Sequence, residues 1–262
     1  AQNLGGARVA HLDGKHSKGS FFVDTKDATW FMKPGFGGTG PIEGMQDDSA
    51  PASAREAAFW AVGQDWGLAS DLSRSEWVQV GDRAYAAIKF LPKEYTPLIE
   101  LVEENPGKGA SFIDAYRQKG LLWQWSVMDW VLGNGDRHGH NLLVNPDGDI
   151  RLIDHGSAFA GKHFDPSGDM ESFTPYYLRA NCPEDVSFNT LKPSQKLYYM
   201  PDLPIGVQGR LRAWLQSLSV DQLAKTLERF GIDRTPTIAR LEQVKAAGQD
   251  LAGFVNRLWA GA

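Results

Sequence analysis

The sequence predicts an α+β protein of two lobes: a small N-terminal lobe built on an antiparallel sheet with one main helix, and a larger, mostly helical C-terminal lobe. Three observations carry this expectation. Short apolar runs bounded by turn residues crowd the first part of the chain and helical patterns fill most of the rest, the order expected of α+β rather than alternating α/β chains. A single hairpin pattern, near residues 142–153, interrupts the helices. The length of 262 residues, with 42% hydrophobic residues, suits one large domain or two lobes with a sizeable core. The expected division is 1–92 and 93–262, the two parts forming one domain.

Residues 8–12, 21–23 and 29–33 read as three opening strands, with Thr25 to Asp27 turning between the last two. The loop from Gly14 through Lys18 and Gly19 to Ser20 is flanked by glycines. Such a loop lets backbone N–H groups approach phosphates without a Cβ in the way, although a plain hairpin turn has the same composition. Residues 34–52 are rich in Gly and Pro and longer than the roughly 12–15 residues usual for structureless connections, which fits a lid, a substrate loop or a surface insert. Ser53 opens a helix through Trp66, with Gly67 as its stop. Ser53 and Glu56 spell a capping box, which competes for Glu56 with an ion pair to Lys33 at the end of the third strand; the ion pair is the expectation adopted. Residues 77–80 and 84–91 form a hairpin around Gly81 and Asp82. Its second strand runs through Ile88 and Phe90 into the connection between the lobes.

From Thr96 the pattern turns helical. Residues 98–104 are one helix, ended by Asn105-Pro106-Gly107, and residues 111–119 are another. Residues 121–132 are apolar on all sides, with Trp123, Trp125 and Trp130, which marks a buried helix. In the tail, residues 207–218 carry apolar positions at helical spacing. Ser219 to Gln222 caps a helix ending at Gly231, and Thr235-Pro236 starts a third that runs towards Leu258.

The stretch 127–159 holds the chemistry. A helix leads into the polar loop Asn134–Asn141, a short strand follows, Asn145 to Gly148 turns, and the return strand ends at Asp154-His155-Gly156. A hairpin holds both loops at one end, so Asp136, Asn141 and Asp154 converge at its mouth. An Asp, an Asn five positions on and a second Asp after a hairpin supply a base and two hard-oxygen ligands suited to magnesium. Lys33, on a strand that follows a glycine loop, is placed to meet phosphates.

The segments GDRHGHN and LIDHG resemble the GDRHxxN and IDFG motifs of phosphoinositide 3/4-kinase-like enzymes and of the broader bacterial group that includes HipA-type serine kinases. The resemblance implies a bilobal protein-kinase-like fold that uses ATP and Mg2+. It makes Asp136 the catalytic Asp, places His138 beside the transferred phosphate and gives the metal to Asn141 and Asp154. It assigns ATP contacts to Gly14, Lys18, Gly19, Lys33, Glu56, Ile88 and Phe90. His155 departs from the pattern, standing where Phe is usual.

The acceptor implied is a hydroxyl, on a protein or a small molecule. Residues 157–200 mix Lys162, His163, Arg179, Lys192 and Lys196 with Asp165, Asp169, Glu171, Glu184 and Asp185, which argues against a phosphoinositide head group. Net charge is −5, so no basic field invites nucleic acid, and no run approaches the roughly 18 apolar residues of a membrane span. Cys182 is the only cysteine, no signal-peptide pattern is present and Ala1 fits a processed or truncated start; a cytoplasmic location is expected. Three alternatives remain. One is a nucleotide-binding module without turnover, one a transferase moving AMP, and one a metal hydrolase built on His138, His140, His155 and His163 with the two aspartates.

Overall fold

The computed structural model describes residues 8–11, 19–35, 50–134, 137, 139–159 and 204–249. Most of the Gly/Pro-rich segment and most of the 157–200 stretch lie outside them. The fold is α+β, with two antiparallel sheets and seven α-helices among the described residues.

The first sheet holds β1 (Arg8–His11), β2 (Phe21–Asp24), β3 (Thr29–Pro34), β4 (Ser75–Val80) and β5 (Arg83–Lys89), in the order β1-β2-β3-β5-β4. Every pairing is antiparallel. Two-residue alternation sorts its side chains. Phe22 lies opposite Phe31, Phe31 opposite Ile88 and Lys33 opposite Ala86, so Phe22, Phe31, Lys33 and Ile88 share one face. Val23, Met32, Tyr85 and Ala87 take the other face and form a small core with Phe21, Trp30 and Val78. The β4–β5 turn is the expected one, with Gly81 at φ +61°.

Helix α1 (Ala52–Asp65) starts one residue before Ser53, with Pro51 at its N-cap and no side-chain cap. The capping box therefore does not form; Glu56 is buried and used elsewhere. Trp66 caps the C-terminus, and Gly67 follows with φ +75°, as expected of a helix stop. Ala54, Ala57, Ala58, Phe59 and Val62 of α1 join the large core, which also holds Trp125, Val127, Leu215 and Leu227. Two polar contacts tie α1 to the tail helices: Thr226 Oγ1 donates to Asp65 (2.7 Å) and Trp214 Nε1 to the Trp66 carbonyl (2.8 Å).

After β5 the chain does not turn helical at once. Thr96–Pro97 forms β6, edge strand of a second sheet, β6-β7-β8, with β7 (Leu142–Val144) and β8 (Ile150–Leu152). Helix α2 (Leu98–Glu104) follows. Helix α3 (Pro106–Lys119) starts five residues before the expected position. Asn105-Pro106-Gly107 both ends α2 and begins α3: the Asn105 side chain accepts from Lys108 N (3.1 Å) and Pro106 takes the first helical position. Helix α4 (Leu121–Val131) is buried along nearly its whole length, with Trp123, Trp125 and Trp130 each about 2% exposed. Helices α5 (Ile205–Ser217), α6 (Val220–Arg229) and α7 (Thr235–Ala246) close the described chain. Ser219 caps α6 as expected, its Oγ accepting from Gln222 N (3.1 Å). A 3-10 turn, Ala247–Gln249, follows α7, and the rest of the expected extension to Leu258 lies outside the described residues. No described helix is long and apolar enough to cross a membrane.

Candidate active site

The β7–β8 hairpin brings the two polar loops together. Asn145 Oδ1 accepts from the amides of Asp147 (3.1 Å) and Asp149 (2.8 Å), and Gly148 turns the chain at φ +86°. Leu142 pairs with Leu152, and one step beyond the ladder the Ile153 amide donates to the Asn141 carbonyl (3.1 Å). Asn141, buried, and the next residue after Ile153, the half-exposed Asp154, therefore sit at the same open end. Asp154 has φ +55°, a left-handed conformation that a non-glycine residue holds only where its surroundings impose it.

Lys33 enters from the shared face of β3. Its Nζ lies 2.5 Å from Asp154 Oδ1, 121 residues away in sequence. Glu56 approaches from α1. It is about 1% exposed, and its Oε2 accepts from the His155 amide (2.8 Å). Burial raises the Glu56 carboxyl to about 7; the Lys33 cation opposes this rise and the Asp154 charge adds to it. Lys33, Glu56 and Asp154 are thus one electrostatic group, with Glu56 bonded to the loop that follows Asp154.

Arg137 organises the loops from beneath. It is fully buried, and all five guanidinium N–H groups are engaged. Nε and Nη2 reach the two carboxylate oxygens of Asp129 (3.1 and 3.2 Å). Nη1 donates to the carbonyls of Asn141 (3.1 Å) and Ile153 (2.7 Å), and Nη2 also to His155 Nδ1 (2.7 Å). Asn134 adds a bond to Asp129 (2.7 Å). The His155 ring stacks on Phe59, centroids 4.0 Å apart and planes 7° from parallel. A guanidinium can only donate, so Nδ1 accepts and the neutral ring carries its proton on Nε2. Burial first, then the Arg137 charge, then Lys33, hold the imidazole well below its usual pKa. Arg137, Asp129 and Asn134 were not among the residues expected from sequence. The signal was present: Asp129 is the only charged residue in the apolar run of α4, and a buried carboxylate requires a partner.

A cleft of about 830 Å³ opens above this group. Phe22, Phe31 and Ile88 of the sheet face it from one side and Leu143 and Ile153 of the hairpin from the other. The connecting segment also lines it through Phe90, Leu91, Pro92, Lys93 and Tyr95, and Lys33 and Asp154 belong to the same lining. Ile88 and Phe90 line this space. The amides of Lys89 and Phe90 are already donated to the carbonyls of Arg74 (2.8 Å) and Thr29 (2.9 Å). Glu56 is buried alongside the cleft and does not line it. Gly19 is an exposed residue at φ +96°, and it does not line the cleft either. Gly14, Lys18, Asp136 and His138 lie outside the described residues. The described residues flanking Asp136, Asn134 and Arg137, are both buried and both bonded to Asp129.

The donor set suits a hard cation. Asn141 and Asp154 offer neutral and anionic oxygen, and among the described residues no group of three or more His, Cys, Asp and Glu gathers as a zinc site would require. His155 is turned to Arg137, which removes it from any hydrolase cluster of histidines.

A lysine on an antiparallel strand meets an aspartate that closes a hairpin, and the family comparison gives the class: a kinase-like phosphotransferase domain. Residues 98–218 match the family model of phosphatidylinositol 3- and 4-kinase, a likeness to the phosphoinositide 3/4-kinase-like superfamily. The match contains the hairpin, Arg137, Asn141 and Asp154; the first sheet, Lys33 and Glu56 precede it. No curated protein matches the chain.

Proposed function

We propose that this chain is an ATP- and Mg2+-dependent kinase that phosphorylates a hydroxyl group of a protein or a small molecule rather than a phosphoinositide. The observation that carries the proposal is the convergence of Lys33 and Asp154 in the lining of a largely apolar cleft. An adenine ring suits the Phe22, Phe31, Ile88 and Leu143 walls, and the volume is within the range of small-ligand pockets. The reading divides the chain near residue 92 into a sheet lobe and a helical lobe, with the nucleotide between them. HipA-type serine kinases remain the closer analogy for the acceptor, since the mixed charge of residues 157–200 offers no basic cradle for a phosphorylated inositol.

In this reading Asn141 and Asp154 would hold Mg2+, which would supply positive charge to offset that of the phosphates. Lys33 pairs with the α- and β-phosphates, and Glu56 sets the potential around Lys33. Asp136 accepts the proton of the acceptor hydroxyl. The hydroxyl oxygen forms a bond to the γ-phosphorus, the bond to the β–γ bridging oxygen breaks and ADP leaves. His138 donates a hydrogen bond to a phosphate oxygen. In this reading Gly14 and Lys18 contact the phosphates, a role not extended to Gly19, which does not line the cleft.

The test is incubation of the chain with labelled ATP and Mg2+, alone and with cell extract, followed by mass analysis. The expected product carries a phosphoryl group on a hydroxyl, and Asp136→Asn loses most turnover while keeping nucleotide affinity. A fully active Asp136→Asn protein would remove the basis of the assignment. Transfer of AMP would keep the fold and replace the reaction.

A further inference from the structure

We infer that His155 is a positioning residue: its Nδ1, engaged by Arg137, clasps the Asp154 loop to the loop that carries Asn141, and so sets the spacing of the two proposed metal ligands. The inference rests on the phosphotransferase reading and concerns how its site is held together.

The backbone at Asp154 is in a conformation that does not persist without support, and bonds supply that support on both sides. Before it, the Ile153 carbonyl accepts from Arg137 Nη1 (2.7 Å). After it, the His155 amide donates to Glu56 (2.8 Å) and the His155 ring accepts from Arg137 Nη2 (2.7 Å). The same Nη1 reaches the Asn141 carbonyl (3.1 Å). One planar, fully buried guanidinium therefore touches both ligand-bearing segments, and Asp129 fixes its plane through two oxygens. Ring stacking alone does not complete this arrangement. A phenyl group at position 155 keeps the contact with Phe59 but offers no acceptor, and the guanidinium N–H then faces carbon in a site closed to water. Supports of this kind behind a metal ligand typically change metal affinity roughly 10–100-fold when removed.

The experiment compares wild type with His155→Phe and His155→Gln. Phenylalanine retains the stack and removes the acceptor; glutamine supplies an amide oxygen in its place. Two readouts are taken on the full chain. Amide hydrogen exchange at residues 153–156 is measured without nucleotide, and the Mg2+ requirement is measured by titration against a fluorescent ATP analogue. In His155→Phe, exchange at residues 153–156 rises about 10-fold or more and half-maximal Mg2+ rises at least roughly 10-fold, while analogue binding in EDTA changes less than about twofold. His155→Gln recovers most of both. If His155→Phe does not fold, His155→Leu is compared with His155→Gln: both lack the ring, and only glutamine offers an acceptor. Exchange and Mg2+ requirement within about twofold of wild type in the phenylalanine variant overturn the inference. Equal impairment in the phenylalanine and glutamine variants also overturns it, because returning an acceptor would then have restored nothing. If wild type binds no nucleotide yet His155→Phe still loosens residues 153–156, the clasp stands and the phosphotransferase reading falls.

Discussion

Glu56→Gln is expected to strengthen the fold at alkaline pH while it damages the site. Glu56 is about 1% exposed, and burial raises its carboxyl from 4.5 to about 7. A carboxylic acid with a raised folded-state pKa binds more protons folded than unfolded. Its contribution to stability is therefore full below the unfolded value near 4.5 and is lost as pH rises to about 7. A tenfold difference in proton affinity between the folded and unfolded chain is worth about 1.4 kcal/mol, so between pH 5 and pH 8 this group removes roughly 2–3 kcal/mol from the wild-type protein. That is a large share of the roughly 5–15 kcal/mol that holds a domain together. Glutamine resembles the protonated acid and does not titrate, and any packing cost it adds is the same at every pH. His155 acts in the opposite sense: its lowered pKa costs stability as pH falls through the unfolded value near 6.5. Both proteins retain His155, so it cancels in the difference. The assay is urea unfolding followed by tryptophan fluorescence at pH 5, 6, 7 and 8, without nucleotide or metal. The stability of Glu56→Gln relative to wild type should rise by about 2–3 kcal/mol across that range, while phosphoryl transfer is lost. A difference that stays constant within about 0.5 kcal/mol from pH 5 to pH 8 would refute the buried, proton-binding Glu56 described above.

Other substitutions test neighbouring parts. Lys33→Met removes a partly solvated ion pair, Lys33 and Asp154 being 25% and 45% exposed, so unfolding free energy should change by less than about 1 kcal/mol. Turnover should fall at least about 100-fold, as expected when a preorganised charge is taken from a transferring phosphate; steady-state kinetics on the folded variant check this. The two glycines of the paired motifs should respond differently. A Cβ on Gly139 meets Ile99 Cβ at 2.8 Å, and Gly139→Ala should cost about 1–3 kcal/mol in urea unfolding. A Cβ on Gly156 finds only ordinary contacts near 3.6 Å, so Gly156→Ala should unfold within about 0.5 kcal/mol of wild type.

Local rules made much of the fold legible. Alternation along residues 21–33 and 84–91 placed the strands, and antiparallel register then put Phe22, Phe31, Lys33 and Ile88 on one face. Asn145 to Gly148 marked its turn because an Asn side chain and a glycine satisfy the backbone there without distant help. The hairpin in turn brought Asn141 and Asp154 to one end. Where local rules competed, composition was not enough. Asn105-Pro106-Gly107 is equally good as a stop and as a start, and in the fold it is both. Ser53 and Glu56 satisfy the spacing of a capping box, but the box does not form, and the Glu56 side chain bonds the His155 amide 99 residues away.

The sequence by itself determined the α+β class, the strand and hairpin patterns and the residue types gathered at the hairpin mouth. These depend on interactions within a few residues, whose energies repeat from protein to protein. Only the tertiary structure decided what Arg137 does. Its partners Asp129, Asn141, Ile153 and His155 come from a helix and two loops, and no spacing rule links them. The tertiary structure also decided that Glu56 is a proton-binding carboxyl near neutrality and that Asp154 sits at positive φ. Burial and strain are properties of the packed site: a buried charge or a left-handed residue is tolerated only where groups distant in sequence supply the compensating bonds.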